Sequence, residues 1–225
     1  MFDRTIKLIG KESFNKITST TIAVVGLGGV GGFAVESLIR SGITSIILVD
    51  YDTIEISNLN RQIISNQAHI GYFKVDEMEQ RILNINPNCK VIKIYDKLTN
   101  DNLELLFQYS FDYLIDACDT ICVKQELIKN CLNKNIKIIS CMGTGNKLDP
   151  SLLEITDIRK TSYDPIAKKI RKYLSTNNIN QKVPVVYSKE QNPKFTGSIP
   201  SMIFVPATAG ILCANYVIKD IISKK

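Results

Sequence analysis

Tryptophan is absent from this sequence and histidine occurs once, at His69, while asparagine, isoleucine and lysine are abundant. That bias reads as compositional drift and carries no functional signal. The six cysteines, at 89, 118, 122, 131, 141 and 213, form no Cys-x-x-Cys pair, which argues against a tetrahedral zinc site of the usual close ligand spacing. No apolar signal core opens the chain, where Asp3, Arg4 and Lys7 stand instead. An intracellular, cytoplasmic protein with reduced thiols is therefore expected. Charge is missing altogether between Lys194 and Lys219. That run is long enough to span a bilayer, but Gly197, Pro200, Pro206, Gly210 and Asn215 interrupt it. A buried segment ending in a core helix over 208–222 is the favoured reading, with peripheral membrane association left open. Repeats and low-complexity tracts are also missing.

What is present is a globular composition: 44% hydrophobic and 22% charged residues, with a net charge of +6. Such a chain is neither disordered nor fibrous. Its 225 residues suit a single large domain with an elaborated arm. The expected division is a core over 18–146, a basic arm over 147–198 and a C-terminal segment over 199–225. Strand and helix alternate through the first half. Thr21–Val25, Ser45–Val49, 91–95, Tyr113–Asp116 and Lys137–Cys141 read as strands. The stretches 33–40, Lys74–Ile85, 102–108 and 123–133 read as helices, the second closed by Asn86-Pro87. This alternation predicts an α/β fold: a Rossmann-like, mostly parallel sheet flanked by helices, followed by the basic arm and a C-terminal helix. Ligands of such sheets sit beyond the carboxyl ends of the strands, near Gly28, Asp50, Asp119 and Gly143.

Gly26-Leu27-Gly28-Gly29-Val30-Gly31 follows the first strand directly and opens a helix. Glycines there let the backbone turn tightly and approach a phosphate at the helix N-terminus. Asp50, at the end of the next strand, is placed to accept hydrogen bonds from a ribose diol. These features alone suggest a dinucleotide cofactor. Arg61 and Lys74 argue instead for a triphosphate, whose oxygens they can neutralise as pyrophosphate departs. Either cation alone also fits a surface ion pair, Lys74 especially. Asp119, at the end of a further strand, is a natural Mg²⁺ ligand, because Mg²⁺ is held by one or two carboxylates plus phosphate oxygens. Asp116 equally fits the N-cap of the following helix.

As a set, G-x-G-G-V-G at 26–31, D-x-D at 50–52, N-x-N-R-Q at 58–62, the lysine of G-x-x-K at 71–74 and D-A-x-D at 116–119 resemble the adenylate-forming family of ubiquitin-activating enzymes. Bacterial relatives in that family activate sulfur-carrier proteins. The resemblance implies ATP and Mg²⁺ as cofactors. It gives nucleotide contacts to Gly26, Gly28, Gly29, Gly31, Asp50, Asp52, Asn58, Arg61, Lys74 and Asp119, with Asp119 also on the metal. Phe2-Asp3-Arg4-Thr5-Ile6 resembles the family's N-terminal Tyr-x-Arg-Gln segment, whose arginine reaches the nucleotide of a partner subunit. A homodimer is thereby implied, with Arg4 acting in trans beside Arg61, Lys74 and Asp119 as the catalytic residues.

Farther along, Asp149-Pro150, Thr156-Asp157, Lys160-Thr161, Asp164-Pro165, the 168–174 stretch and Val185-Val186-Tyr187-Ser188 resemble the branch that dehydrates threonylcarbamoyladenosine in tRNA. The implied reaction adenylates the modification's free carboxylate and then closes a ring by attack of a nitrogen on the same group. The alternatives are an adenylyltransferase acting on the C-terminus of a sulfur-carrier protein, an NAD-binding oxidoreductase and a non-catalytic nucleotide-binding module. Two positions depart from the family pattern: Gly32, where serine is usual, and Ser198-Ile199-Pro200-Ser201, where relatives are richer in glycine.

Relatives that pass a protein through a thioester carry a cysteine in the crossover region, but Cys141 and Cys213 bracket a stretch with none. Cys118 and Cys122 read as small buried residues. Segment 159–194 contains nine basic and two acidic residues, so an excess of +7 lies there against −1 for the remainder. Within it 165–174 is amphipathic: Ile166, Ile170, Tyr173 and Leu174 face inward, and Lys168, Lys169, Arg171 and Lys172 face out. A solvated helix face is one reading. Under the resemblance these four contact the phosphates of tRNA carrying threonylcarbamoyladenosine. His69, Tyr163 and Tyr187 are assigned surface or core roles ahead of base stacking. A cysteine-desulfurase sulfur-relay system is a further partner that the resemblance brings with it.

Overall fold

The structure, a computed structural model, describes residues 1–191, 195, 197 and 199–223. Lys194 of the basic run and Ser198 of the late loop lie outside the described residues. Seven strands form one sheet: β1 (Thr21–Val25), β2 (Ser45–Val49), β3 (Lys90–Ile94), β4 (Tyr113–Asp116), β5 (Lys137–Cys141), β6 (Leu153–Asp157) and β7 (Pro184–Ser188). Their spatial order is β3-β2-β1-β4-β5-β7-β6. Neighbours run parallel except β6 and β7, which are antiparallel.

The helices are α1 (Asp3–Ile9), α2 (Lys11–Thr18), α3 (Gly31–Ser41), α4 (Lys74–Ile85), α5 (Glu104–Phe107), α6 (Ile121–Asn133), α7 (Pro165–Thr176) and α8 (Phe204–Ser223). Successive strand residues point to opposite faces, and β1 serves two cores in this way. Ile22 and Val24 pack with α3, α4 and α8 on one face. Ala23 and Val25 pack with α5, α6 and α7 on the other. Continuous apolar runs such as TIAVV and SIILV suit strands covered on both sides.

Several boundaries differ from the sequence reading. α3 starts at Gly31, two residues early, because its first turn presses against the loop before it: a Cβ on Gly31 would sit 1.7 Å from the Gly26 carbonyl oxygen. α8 starts at Phe204 and runs through Pro206; an N-terminal N–H has no intrahelical acceptor to lose, so proline is tolerated there. By length and composition α8 could cross a membrane, yet half of it is buried inside the fold, through Val205, Ala209, Cys213, Val217 and Ile221. β6 was not anticipated. It is a sheet-edge strand of half-buried residues, LEITD, without the apolar run that marks the central strands.

Candidate active site

A cavity of about 440 Å³ opens beyond the carboxyl ends of β1, β2 and β4. Gly26, Gly28, Gly29, Asp50, Asp52, Asn58, Arg61, Lys74 and Asp119 all line it. Gly31 lies beneath, packed on Gly26. The turn after β1 is possible only with glycine at its start: Gly26 has φ +89°, and a Cβ there would meet the Ala117 carbonyl oxygen at 2.7 Å. This close approach packs the loop after β1 on the loop after β4, so the glycine loop and Asp119 share one edge of the cavity. Gly32 is buried, and a Cβ there would meet Ile63 Cγ2 at 3.0 Å, a tight contact that a serine could take only if Ile63 shifted.

Asp50 holds the floor. Its carboxylate accepts from the Leu27 N–H at 2.6 Å and the Asp52 N–H at 2.9 Å, leaving further lone pairs toward the cavity. Burial pushes its pKa up, opposed chiefly by the Lys74 charge. Lys74, at the first turn of α4, has its Nζ 2.9 Å from Asp52 Oδ2. The ion-pair reading of Lys74 is therefore correct in this state, but the pair lines the cavity and Lys74 is only 4% exposed, so it is no ordinary surface bridge. Arg61 donates to the Ser57 carbonyl at 2.6 Å and Asn60 Oδ1 at 3.0 Å, both neutral. Asn58 is buried in the same turn, accepting from the Glu55 N–H. Asp119 is exposed to the cavity and accepts from Thr120 Oγ1 at 3.2 Å. Among the described residues no carboxylate pairs with Arg61 and no cation pairs with Asp119. Both charges are free for a ligand.

The donor set fits Mg²⁺. Asp119 is an unpaired carboxylate at the cavity wall, whereas Asp50 and Asp52 are already engaged by N–H groups and Lys74. No group of three or more His, Cys, Asp or Glu gathers among the described residues, and Mg²⁺ beside a polyphosphate needs only one or two carboxylates.

The structure also corrects several sequence readings. Asp116 is not a helix cap: α6 is preceded by Thr120, and Asp116 is fully buried against Lys124 Nζ at 2.9 Å. Gly143 does not line the cavity; its neighbour Thr144 does. The Gly143 N–H instead donates to Asp164 Oδ2 at 3.1 Å, while Asp164 Oδ1 caps α7 through the Ala167 N–H at 2.8 Å. The basic helix is thus fastened to the strand that ends beside the site. Arg171 does not face out freely: its guanidinium bonds the Thr161 hydroxyl and the Ile158 carbonyl. Lys168, Lys169 and Lys172 are exposed as expected. Cys122 is exposed and Cys118 half-buried at the cavity wall, because Val123 and Lys124 take the inward positions at the start of α6. Tyr187 is buried on Glu154, His69 is paired with Glu77, and Tyr163 is exposed. Arg4 is exposed on α1 and lines no part of this cavity.

Two residues at the site went unassigned in the sequence. Gln62 turns its Nε2 toward Gly28, and its buried Oε1 has no hydrogen-bond partner. The signal was there in the N-x-N-R-Q motif, of which only Asn58 and Arg61 were assigned. Lys97 adds a third cation to the cavity and stands 5.0 Å from the Tyr51 ring. Its position just past β3, at the ligand edge of the sheet, could have been used to find it.

A mostly parallel α/β sheet with this glycine loop, a strand-end aspartate and the ionically unpaired Arg61 and Asp119 around one cavity has the features of a nucleotide-binding protein. The chain belongs to the ThiF family, which it matches over residues 2–224. It is 41% identical over 239 residues to the tRNA threonylcarbamoyladenosine dehydratase of Bacillus subtilis, covering 98% of this chain and 94% of that protein. It is 35% identical to the Haemophilus influenzae enzyme of the same name, over 93% of this chain and 81% of the relative. The crystal structure of the Escherichia coli tRNA N6-threonylcarbamoyladenosine dehydratase TcdA in complex with ATP superposes with a TM-score of 0.92 at 33% identity, over 99% of this chain and 93% of that one.

Proposed function

We propose that this protein is an ATP-dependent dehydratase of threonylcarbamoyladenosine in tRNA. The free carboxylate of the modification attacks the α-phosphate of ATP, the bond to pyrophosphate breaks, and an acyl-adenylate forms. A nitrogen of the same modification then attacks the activated carbonyl, closing a ring as AMP leaves. A bare carboxylate is a poor electrophile because oxide would have to depart; adenylation replaces oxide with AMP. Nucleophile and electrophile share one side chain, so proximity supplies much of the rate and no enzyme nucleophile is required. Cys118, at the cavity wall, accords with this: burial first, then the Asp116 charge, holds its thiol well above the usual range, and only a thiolate attacks efficiently.

The observation that carries the reading is the meeting, in one cavity, of the glycine loop, Asp50 and the ionically unpaired Arg61 and Asp119, in a chain alike over its length to proteins named for this reaction. In this account the loop amides and Arg61 hold the phosphates, Lys74 exchanges Asp52 for a phosphate oxygen, and Asp50 accepts from the ribose. Mg²⁺ would be held by Asp119 and would supply charge neutralisation on the phosphates. Arg4, outside its own cavity on a helix with no buried residue, supports a homodimer in which it completes the partner's site. Lys168, Lys169 and Lys172 form the tRNA face. The six free cysteines are in keeping with a cytoplasmic location.

Pyrophosphate exchange into ATP tests this reading against its sulfur-carrier alternative. Exchange should require threonylcarbamoyl-modified tRNA; exchange that requires a small carrier protein ending in glycine overturns it.

A further inference from the structure

A second cavity, of about 670 Å³, lies at the β6 edge of the sheet. Asp157 pairs with Pro184, the first residue of β7, and Lys182 and Asn180 precede that strand. The cavity therefore opens toward the amino ends of the parallel strands, away from the nucleotide. Lys160 and Lys182 stand on its rim, with Tyr216 of α8 as one wall. Arg159 lines it, and Arg171 braces the turn beside it. Arg159 donates to the Gln181 carbonyl at 2.9 Å and the Ile179 carbonyl at 3.0 Å, and Arg171 ties α7 to the turn at 158–161. Asp157, the carboxylate in the wall, accepts from the Arg159 N–H at 2.8 Å. The arginines are thus spent on architecture. Lys160 and Lys182 are exposed, and among the described residues neither has an acidic partner.

We infer that this edge cavity is a second RNA-backbone seat, in which Lys160 and Lys182 straddle the phosphates of the substrate tRNA at a distance from the adenosine being modified. The inference rests on the tRNA-dehydratase reading and extends it. A dehydrating site needs only the modified nucleotide, whereas two exposed, unpaired cations lining a cavity match the regular negative charge of a folded nucleic acid. Lys168, Lys169 and Lys172, on the helix that Arg171 ties to the 158–161 turn, are likewise exposed and without an acidic partner among the described residues.

The test is the salt dependence of tRNA affinity for wild type and for the Lys160→Ala/Lys182→Ala pair, with ATP affinity and unfolding as controls. Loss of two phosphate contacts should lower the slope of log affinity against log salt by about 1.5–2, with ATP affinity and stability unchanged. An unchanged slope in the pair, while wild type retains its own salt-dependent tRNA binding, overturns the second seat alone. Wild type that binds no tRNA overturns the dehydratase reading and this inference with it. Binding of the pair to vesicles containing phosphatidylserine is measured in parallel: loss there with intact tRNA affinity assigns the cavity to a membrane surface and also overturns the inference.

Discussion

Lys124 Nζ lies 2.9 Å from Asp116 Oδ2 with both side chains at 1% exposure or less, and the same ammonium donates to the Cys141 carbonyl at 2.7 Å. Asp116 in turn accepts from the Ser140 hydroxyl and from the Cys118 N–H. Burial, the largest influence, would depress the lysine, but the Asp116 charge together with Cys118, Cys141 and the hydrogen bond to Asp116 more than offsets it, so its pKa is raised. This pair ties β4, β5 and α6 together directly behind the loop that carries Asp119.

Removing one partner of a buried pair leaves an uncompensated charge. Lys124→Met should cost about 3–5 kcal/mol of stability, read as a fall in the urea midpoint. Because the folded pKa is raised, the pair's contribution is complete below the lysine's unfolded pKa and is lost only as pH rises through the folded one, so the penalty should be flat across neutral pH. A loss below about 1 kcal/mol would show that the pair contributes little.

Asp50 gives a pH dependence of opposite sense for binding and for folding. Its raised pKa means that acid protonates it earlier than an ordinary aspartate, and a protonated carboxyl is a poorer acceptor for a ribose diol. ATP affinity should fall as pH drops through that raised value. The fold, which binds this proton more tightly than the unfolded chain, gains stability over the same interval. Asp50→Asn should weaken ATP binding at neutral pH and abolish its acid dependence; an identical pH profile in the variant would remove Asp50 from the site.

Arg61 faces the cavity without a carboxylate partner, so its charge is available to the transition state. Arg61→Ala should lower the rate of pyrophosphate exchange by about 10²–10³ with little change in stability. Equal loss in ATP affinity and in rate would mark it as a ground-state contact only.

Arg4 does not line the nucleotide-site cavity of its own chain. If it serves a partner subunit, Arg4→Ala and Lys74→Ala should each be inactive alone, and mixing them should restore activity through mixed dimers, each with one intact site. Absence of any recovery in a mixture shown to exchange subunits would place Arg4 outside the reaction.

The four core strands with dense β-branched or apolar runs were legible because burial on both faces erases alternation, and the glycine loop because Gly26 and Gly31 permit no side chain. β6 was not legible: at the sheet edge all five of its residues are only half-buried, and Glu154 and Asp157 disguise it as loop. The charged face of α7 was read correctly from its period, yet no periodicity separates Lys172 from Arg171, whose reach to Thr161 depends on a turn brought close by the sheet. Asp116 looked like a cap because its partner, Lys124, lies one helical stretch away and the burial of both arises only from tertiary packing. Lys97 and Gln62 were passed over for a similar reason: each matters through what the fold sets opposite it, Tyr51 and Gly28.

The central claim is that ATP here primes a carboxylate borne by RNA. The direct measurement is nucleoside mass analysis of threonylcarbamoyl-modified tRNA after incubation with the protein, ATP and Mg²⁺. The account predicts a modified adenosine lighter by about 18 daltons, one water lost in ring closure, with AMP formed in equal amount and neither product made by Arg61→Ala. Modified tRNA that keeps its full mass while AMP accumulates on some other acceptor would contradict it.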